Sequence, residues 1–337
     1  MNFQSWQSSA SFPTLAVDPG ANVVSLGPGS RFLTVAAGGW SKVRKLGVAG
    51  AQLRCFAHMP SPNPEVWVCP TCGANFPPAP DPPAHCPLCE DERQWVPPTG
   101  QVWKKMGELA EEGFSTEVRD VEPDLFGLGV RPGIGVGQRA LVVRTPEGNL
   151  MWDPPPFIDQ PAIDAVRERG GLAVVTSSHP HMYGALVEWS HAFGAEILLP
   201  EVDLPWLMRP DPAVRSWSGS IEALPGVTLV QCGGHFPGSA VAQWRDALFV
   251  GDTLFVTSGA DRVSFIWSAP NRLPLPEREV RRIVEALAPY QYDRIYGGWW
   301  DPVIEHDGRR IVERSADRYI EILNGDIEPR SPAQPSR

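Results

Sequence analysis

Four cysteines in the stretch CPTCGANFPPAPDPPAHCPLCE stand as two C-x-x-C pairs, Cys69 with Cys72 and Cys86 with Cys89. Each pair places two thiolates on one turn. Two such knuckles facing each other supply a closed tetrahedral set of four sulfurs, the arrangement suited to structural zinc. Iron on four thiolates is the alternative. Zinc is preferred because a closed site fastening a Pro-rich loop needs no redox partner. His85, beside Cys86, is read as a neighbour, since four sulfurs already fill the site. Of the other two cysteines, Cys232 ends the apolar run VTLVQC and reads as a buried free thiol, while Cys55 supports no functional reading.

A second set of donors lies further along. SSHPHMYG follows the apolar run GLAVVTS and sets His179 and His181 one residue apart. QCGGHFPGS puts His235 just after another strand, with glycines that allow close backbone approach and Pro237 to stiffen the turn. ALFVGDT ends a third apolar strand at Gly251 and Asp252. Three strand ends thus offer His179, His181, His235 and Asp252, neutral imidazoles and a carboxylate of the kind that hold zinc.

The order HPH, GGHFPGS, LFVGDT resembles the metallo-β-lactamase fold superfamily over roughly residues 115–323, and the CPxC knuckles resemble short rubredoxins and zinc ribbons. The resemblance implies an α/β chain: an αββα sandwich of two mixed sheets flanked by helices, preceded by a small zinc-ribbon-like module. In that superfamily an H-x-H-x-D-H loop, a later His, a bridging Asp and a final His bind one or two metals. Here Tyr183 stands where the loop Asp falls and Gly184 where its last His falls. RIYGGWWDP places Trp299 at the final His, and His306 is read as a loop histidine. All these losses fall on the second metal position. The resemblance therefore implies one metal on His179, His181 and His235, with Asp252 as a fourth donor or a holder of water. Asp153, in NLMWDPP, matches an acidic residue that relatives keep in a supporting place.

The implied activity is a zinc hydrolase acting on a neutral carbonyl compound: an ester, lactone or thioester. Asp252 and Tyr183 are the expected catalytic residues, and Phe265, Trp267, Trp299 and Trp300 the expected walls of an apolar substrate pocket. An Fe(II) oxygenase using His179, His235 and Asp252 is the rival from another reaction class. A metal-stabilised scaffold without catalysis is the third.

These residues need an ordered frame, and the chain supplies one. Residues 1–63 carry short apolar pieces without sustained period, and the native chain is expected to start near Met59. Residues 64–100 form the cysteine module, 101–325 the metallo-β-lactamase-like domain, and 326–337 a tail. Within the domain, LFGLGV, RALVVRT and NLMWD read as strands, the last two joined by a TPEG turn. Helical stretches (IDQPAIDAVRERGG, GALVEWSHAFGA, PEREVRRIVEALAPY, GRRIVERSADRYIEIL) then alternate with strands (LAVVTS, EILLP, VTLVQC, AVAQW, ALFVGD, YDRIYGG), the signature of mixed sheets. A net charge of −10 argues against a phosphate-tracking surface, so the expected partner is a small molecule and not nucleic acid. No apolar run approaches the roughly 20 residues needed to cross a bilayer. The absent secretory pattern and paired C-x-x-C units point to the cytoplasm. Assembly into homo-oligomers is left open.

Overall fold

The computed structural model describes residues 62–327, together with the backbone of three short strands (Asn22–Ser25, Leu33–Val35, Arg54–Cys55) that form an antiparallel sheet in a separate unit, Met1–Met59. The expectations for the start near Met59 and for the tail beyond residue 327 lie outside the described residues, as does the side chain of Cys55. Pro60–Arg337 is one unit.

It begins with the cysteine module. Strands β1 (Trp67–Val68) and β2 (Asn75–Phe76) pair as a hairpin around the first knuckle, and β3 (Lys104–Lys105) adds to the other side of β1. The second knuckle opens the one-turn helix α1 (Pro87–Glu90), and α2 (Met106–Glu111) leads into the main domain.

The main domain holds two mixed sheets. In the first, β4 (Ser115–Glu122), β5 (Leu125–Arg131), β6 (Ala140–Thr145) and β7 (Gly148–Trp152) run as an antiparallel meander. Helix α3 (Gln160–Glu168) then returns the chain to β8 (Val174–Thr176), parallel to β7. Helix α4 (Leu186–Phe193), β9 (Glu196–Pro200) and β10 (Val214–Trp217) continue in parallel, giving seven strands in the order β10-β9-β8-β7-β6-β5-β4.

The second sheet takes β11 (Ser220–Leu224), β12 (Val227–Gln231), β13 (Ala240–Trp244) and β14 (Ala247–Phe249) as antiparallel neighbours. Two small hairpins follow, β15 (Phe255–Val256) with β16 (Val263–Ser264) and β17 (Ile266–Ser268) with β18 (Leu273–Pro274). After α5 (Glu277–Leu287), β19 (Arg294–Tyr296) joins β14 in parallel, β20 (Val303–Ile304) closes the sheet, and α6 (Gly308–Asn324) ends the domain.

Period-two alternation explains why the sheets stack. On β12, Val227 and Leu229 face the first sheet and Val230 faces the helices; β13 splits Ala240, Ala242 and Trp244 from Val241 in the same way. The inter-sheet core joins these residues to Leu141, Leu150, Trp152 and Val174 of the first sheet. On the far side of the second sheet, Val280, Ile283, Val312 and Ala316 of α5 and α6 cover it. Helices α3 and α4 pack on strands of the first sheet. The architecture is thus the expected αββα sandwich, two mixed sheets flanked by helices, with a small cysteine module. No helix among the described residues is long and apolar enough to cross a membrane.

Candidate metal centre

The topology brings the donor loops to one edge. β12 ends and β13 begins around the His235 loop, and β14, antiparallel to β13, ends on that same edge with Asp252. From the first sheet, Asp153 directly follows β7, and Ser177 directly follows its parallel neighbour β8. A short 3-10 turn, Pro180–Met182, then lifts His181 over the edge.

The donor atoms converge. One ring nitrogen of each of His179, His181 and His235 lies within 4.8 Å of the others, and all three side chains are buried. The ring atom that each histidine can offer follows from its other contacts. Ser178 Oγ sits 2.9 Å from His179 Nδ1, and the Ile266 carbonyl 3.2 Å from His235 Nδ1, which leaves Nε2 of both rings facing inward. His181 presents Nδ1, 3.0 Å from His235 Nε2. Zinc–nitrogen bonds of about 2.0–2.1 Å in a tetrahedron put nitrogens about 3.3 Å apart, so this spacing fits a shared cation. His179 Nε2 has no protein partner. Asp252 Oδ2 is 3.6 Å from His179 Nε2 and 4.0 Å from His235 Nε2, and its Oδ1 is buried without a partner.

Electrostatics agree with a cation-binding role. Burial, reinforced by the neighbouring His235 ring, holds His179 and His181 well below the usual imidazole range. Burial and the Arg93 guanidinium bring His235 down to about 4. All three are therefore neutral at pH 7, the form that donates a lone pair. Asp252 is pushed up to about 7 by burial and by Asp153; a divalent cation on the adjacent nitrogens would reverse that penalty.

Asp153 supports the set from below. Its carboxylate accepts from Ser177 Oγ (2.8 Å), Ser178 N (2.6 Å) and Ser178 Oγ (2.9 Å), and Ser178 passes the orientation on to His179. Gly251 makes room for this relay: its φ is +51°, and a β-carbon there would stand 2.1 Å from Ser178 Oγ.

The cysteine site is built on different lines. All four sulfurs are buried, with Cys69 Sγ 3.5 Å from Cys89 Sγ and Cys72 Sγ 3.6 Å from Cys86 Sγ. These gaps are far longer than a disulfide's roughly 2.05 Å and close to the ~3.8 Å edge of a zinc–sulfur tetrahedron. Contacts with Cys72, Cys86 and Cys89 hold the Cys69 thiol well below its ordinary range, while contact with Cys69 drives Cys72 and Cys89 up. Four thiols so close cannot all ionise without a cation. His85 is exposed and pairs with Glu90 at 2.9 Å, outside the sulfur set.

A pocket of about 320 Å³ opens over the histidines. His181, His235 and Asp252 lie in it, with Gly135, Val136, Phe255, Ala269, Pro270 and Trp299. Thr71, Arg93, Gln94 and Trp95 of the cysteine module complete the wall. Trp299 is fixed by its Nε1 donating to the Val136 carbonyl at 3.0 Å.

Several residues expected here from the sequence lie elsewhere. Phe265 is fully buried in the core beneath α5 and α6, edge-on to Tyr319. Trp267 packs beside that core and donates to Glu92. Trp300 lies over β5, where Gly127 and Gly129 leave space for its indole, with Arg119 at 4.3 Å. Tyr183 lines a separate small cavity with Leu186, Trp206 and Met208, and its buried hydroxyl has no partner. The loop turns Tyr183 away because Gly184, at φ +48°, must run against the Pro154–Pro155 backbone. The cysteine-module wall, Phe255 and Val136 carried no sequence signal. They reach the pocket through tertiary packing, not through spacing.

No family model matches the chain. The protein YmaE of Bacillus subtilis (strain 168), described as uncharacterized, is 36% identical over 269 residues, covering 77% of this chain and 98% of that protein. The chain belongs to the YmaE family. Among solved structures, the DIM-1 metallo-β-lactamase is similar at 14% identity, over 60% of this chain and 98% of that one, with a TM-score of 0.49. The FIM-1 metallo-β-lactamase from Pseudomonas aeruginosa in its mono-zinc form is similar at 12% identity, over 60% and 95%, with a TM-score of 0.48.

Proposed function

We propose that this YmaE-family chain is a metal-dependent hydrolase with one metal on His179, His181 and His235, acting on a small neutral carbonyl compound such as an ester, lactone or thioester. The observation that carries the reading is the convergence of three buried, neutral imidazoles, two of which, His181 and His235, line an open pocket. A zinc ion on those donors would supply Lewis acidity and an acidified water at neutral pH.

The chain's own residues do the rest. Asp252 lines the pocket with Oδ1 unpartnered, placed to orient a water and accept its proton. Asp153, through Ser178, fixes the His179 ring so that Nε2 points at the centre. Phe255, Val136, Pro270 and Trp299 give apolar contact to the substrate body, which favours a neutral ester over a phosphodiester. Tyr183 has no part in the reaction, being outside the pocket.

The test is a panel of lactones, aryl esters and thioesters on the purified protein, with Asp252→Ala beside it. Turnover of at least one class, reduced 100-fold or more by Asp252→Ala, supports the assignment. No turnover across the panel in zinc-loaded protein refutes it.

A further inference from the structure

One side chain ties the cysteine module to the histidine centre. Arg93 lies four residues after Cys89 and is only 6% exposed. Its Nε and Nη2 are held by the Asp91 carboxylate at 2.6 and 2.9 Å, and its Nη1 donates to the carbonyl of His235 at 3.2 Å. The guanidinium carbon lies 3.7 Å from the centroid of the Phe236 ring. That ring belongs to the same apolar cluster as the four cysteines and also touches all three imidazoles, with centroids 6.0, 4.9 and 5.1 Å from His179, His181 and His235.

The grip on His235 is two-sided. Ile266 accepts from the ring at Nδ1, and Arg93 holds the backbone at the carbonyl. Both contacts lead to one anchor, because Ser268, two residues after Ile266, donates to the Arg93 carbonyl at 3.1 Å. Arg93 is in turn held where it is by the second knuckle and the Asp91 turn, structure that a cation on the four sulfurs would fix.

We propose that Arg93 is a positioning residue through which a metal on Cys69, Cys72, Cys86 and Cys89 sets the metal affinity of the three-histidine centre. The inference rests on the reading of that centre as a metal site. Two physical effects act together. Without the Arg93 contact the His235 carbonyl and ring can turn away from the shared point. The Asp91 pairing neutralises the guanidinium, so His235 is held without an unpaired positive charge beside imidazoles that must receive a dication. Removing such outer partners typically weakens metal binding about 10–100-fold.

Cobalt(II) titration of the full chain tests this, because the two sites absorb differently. Thiolate-to-cobalt charge transfer in the near ultraviolet reports the sulfur site alone; the weaker visible bands at shorter wavelength than those of cobalt on thiolates report the nitrogen site. Arg93→Met is expected to leave the sulfur-site signal intact and to weaken the nitrogen site about 10–100-fold, with shifted visible bands. Arg93→Lys, which keeps the charge but not the two-pronged pair with Asp91, is expected to fall between. Cys89→Ser, lacking the sulfur-site metal, is expected to weaken the nitrogen site as Arg93→Met does. Native affinity and native visible bands in Arg93→Met overturn the coupling alone. A native protein that takes up no cobalt at the histidines overturns the coupling together with the metal reading. A merely destabilised variant would lose both signals, so intact sulfur-site absorption in Arg93→Met separates positioning from general unfolding.

Discussion

The two donor sets of this chain sit in one compact unit and share Phe236 as a neighbour, yet they are finished differently. Around the cysteines every donor faces another donor, the four sulfurs lying within 4.8 Å of one another and supplying four ligands by themselves. Around the histidines three nitrogens converge, a carboxylate stands 3.6 Å off, and the fourth direction opens on a pocket. On the proposed reading, the contrast is that between a metal that holds a fold and a metal that acts on a substrate. Close packing also holds the loop residues that the superfamily resemblance sets at a second metal position. Met182 packs against Gly298, and Gly184 is pressed to the Pro154 carbonyl, so Gly184 has no room for a side chain.

The largest expected effect belongs to the closed site. Cys89→Ser should cost several kcal/mol, a fraction of the roughly 10–16 kcal/mol that zinc contributes in isolated finger peptides, and lower the thermal midpoint by about 10 °C. Differential scanning calorimetry checks this; an unchanged midpoint would mean the sulfurs do not hold the module together.

Next comes an attempt to rebuild the missing ligand. Gly184→His should lose about 3 kcal/mol or more without gaining a metal, since its β-carbon would lie 2.3 Å from the Pro154 carbonyl oxygen at positive φ. A stable Gly184→His variant with an extra bound metal would show that the second position is merely empty.

A smaller effect separates the His235 loop from its support. Asp203 is buried, accepts from Gly238 N at 3.1 Å, and is pushed up to about 6 by burial. Its folded pKa is above the unfolded value of about 3.9, so its favourable contribution is full below pH ~3.9 and is lost as pH rises through about 6. Asp203→Asn should therefore gain stability relative to the native chain by about 2 kcal/mol between pH 4 and pH 8, read by urea unfolding. A pH-independent difference would contradict the burial argument.

The smallest effect distinguishes two adjacent tryptophans. Trp299→Ala should raise KM several-fold through the pocket wall, whereas Trp300→Ala should leave KM unchanged and reduce stability, because Trp300 packs on Gly127 and Gly129. Equal effects on KM would place both in the pocket.

Much of this was legible in the sequence for physical reasons. The apolar runs VTLVQC, AVAQW and ALFVGD alternate or are buried on both faces, so they declare themselves as strands, and the donors lie directly at their ends. The amphipathic stretch before Tyr290 declares α5 in the same way. Strand β4 (STEVRDVE) stayed hidden because it is an edge strand with mostly exposed or half-buried side chains, and β10 and β11 are similarly polar. The aromatic pocket was misjudged for a related reason. Phe265, Trp267, Trp299 and Trp300 are near the site in sequence, but strand alternation and the hairpin after Asp252 send three of them to other faces. The contribution of the cysteine module to the pocket comes from docking across the chain, which spacing does not record.

The central claim is that the chain carries one closed structural metal and one open metal on three histidines. Metal content of the native protein and of His181→Ala, measured by inductively coupled plasma mass spectrometry, tests it most directly. The account predicts two metals per native chain and one in His181→Ala, with the sulfur-bound metal retained and ester turnover gone. One metal per native chain, or full occupancy and turnover in His181→Ala, would contradict it.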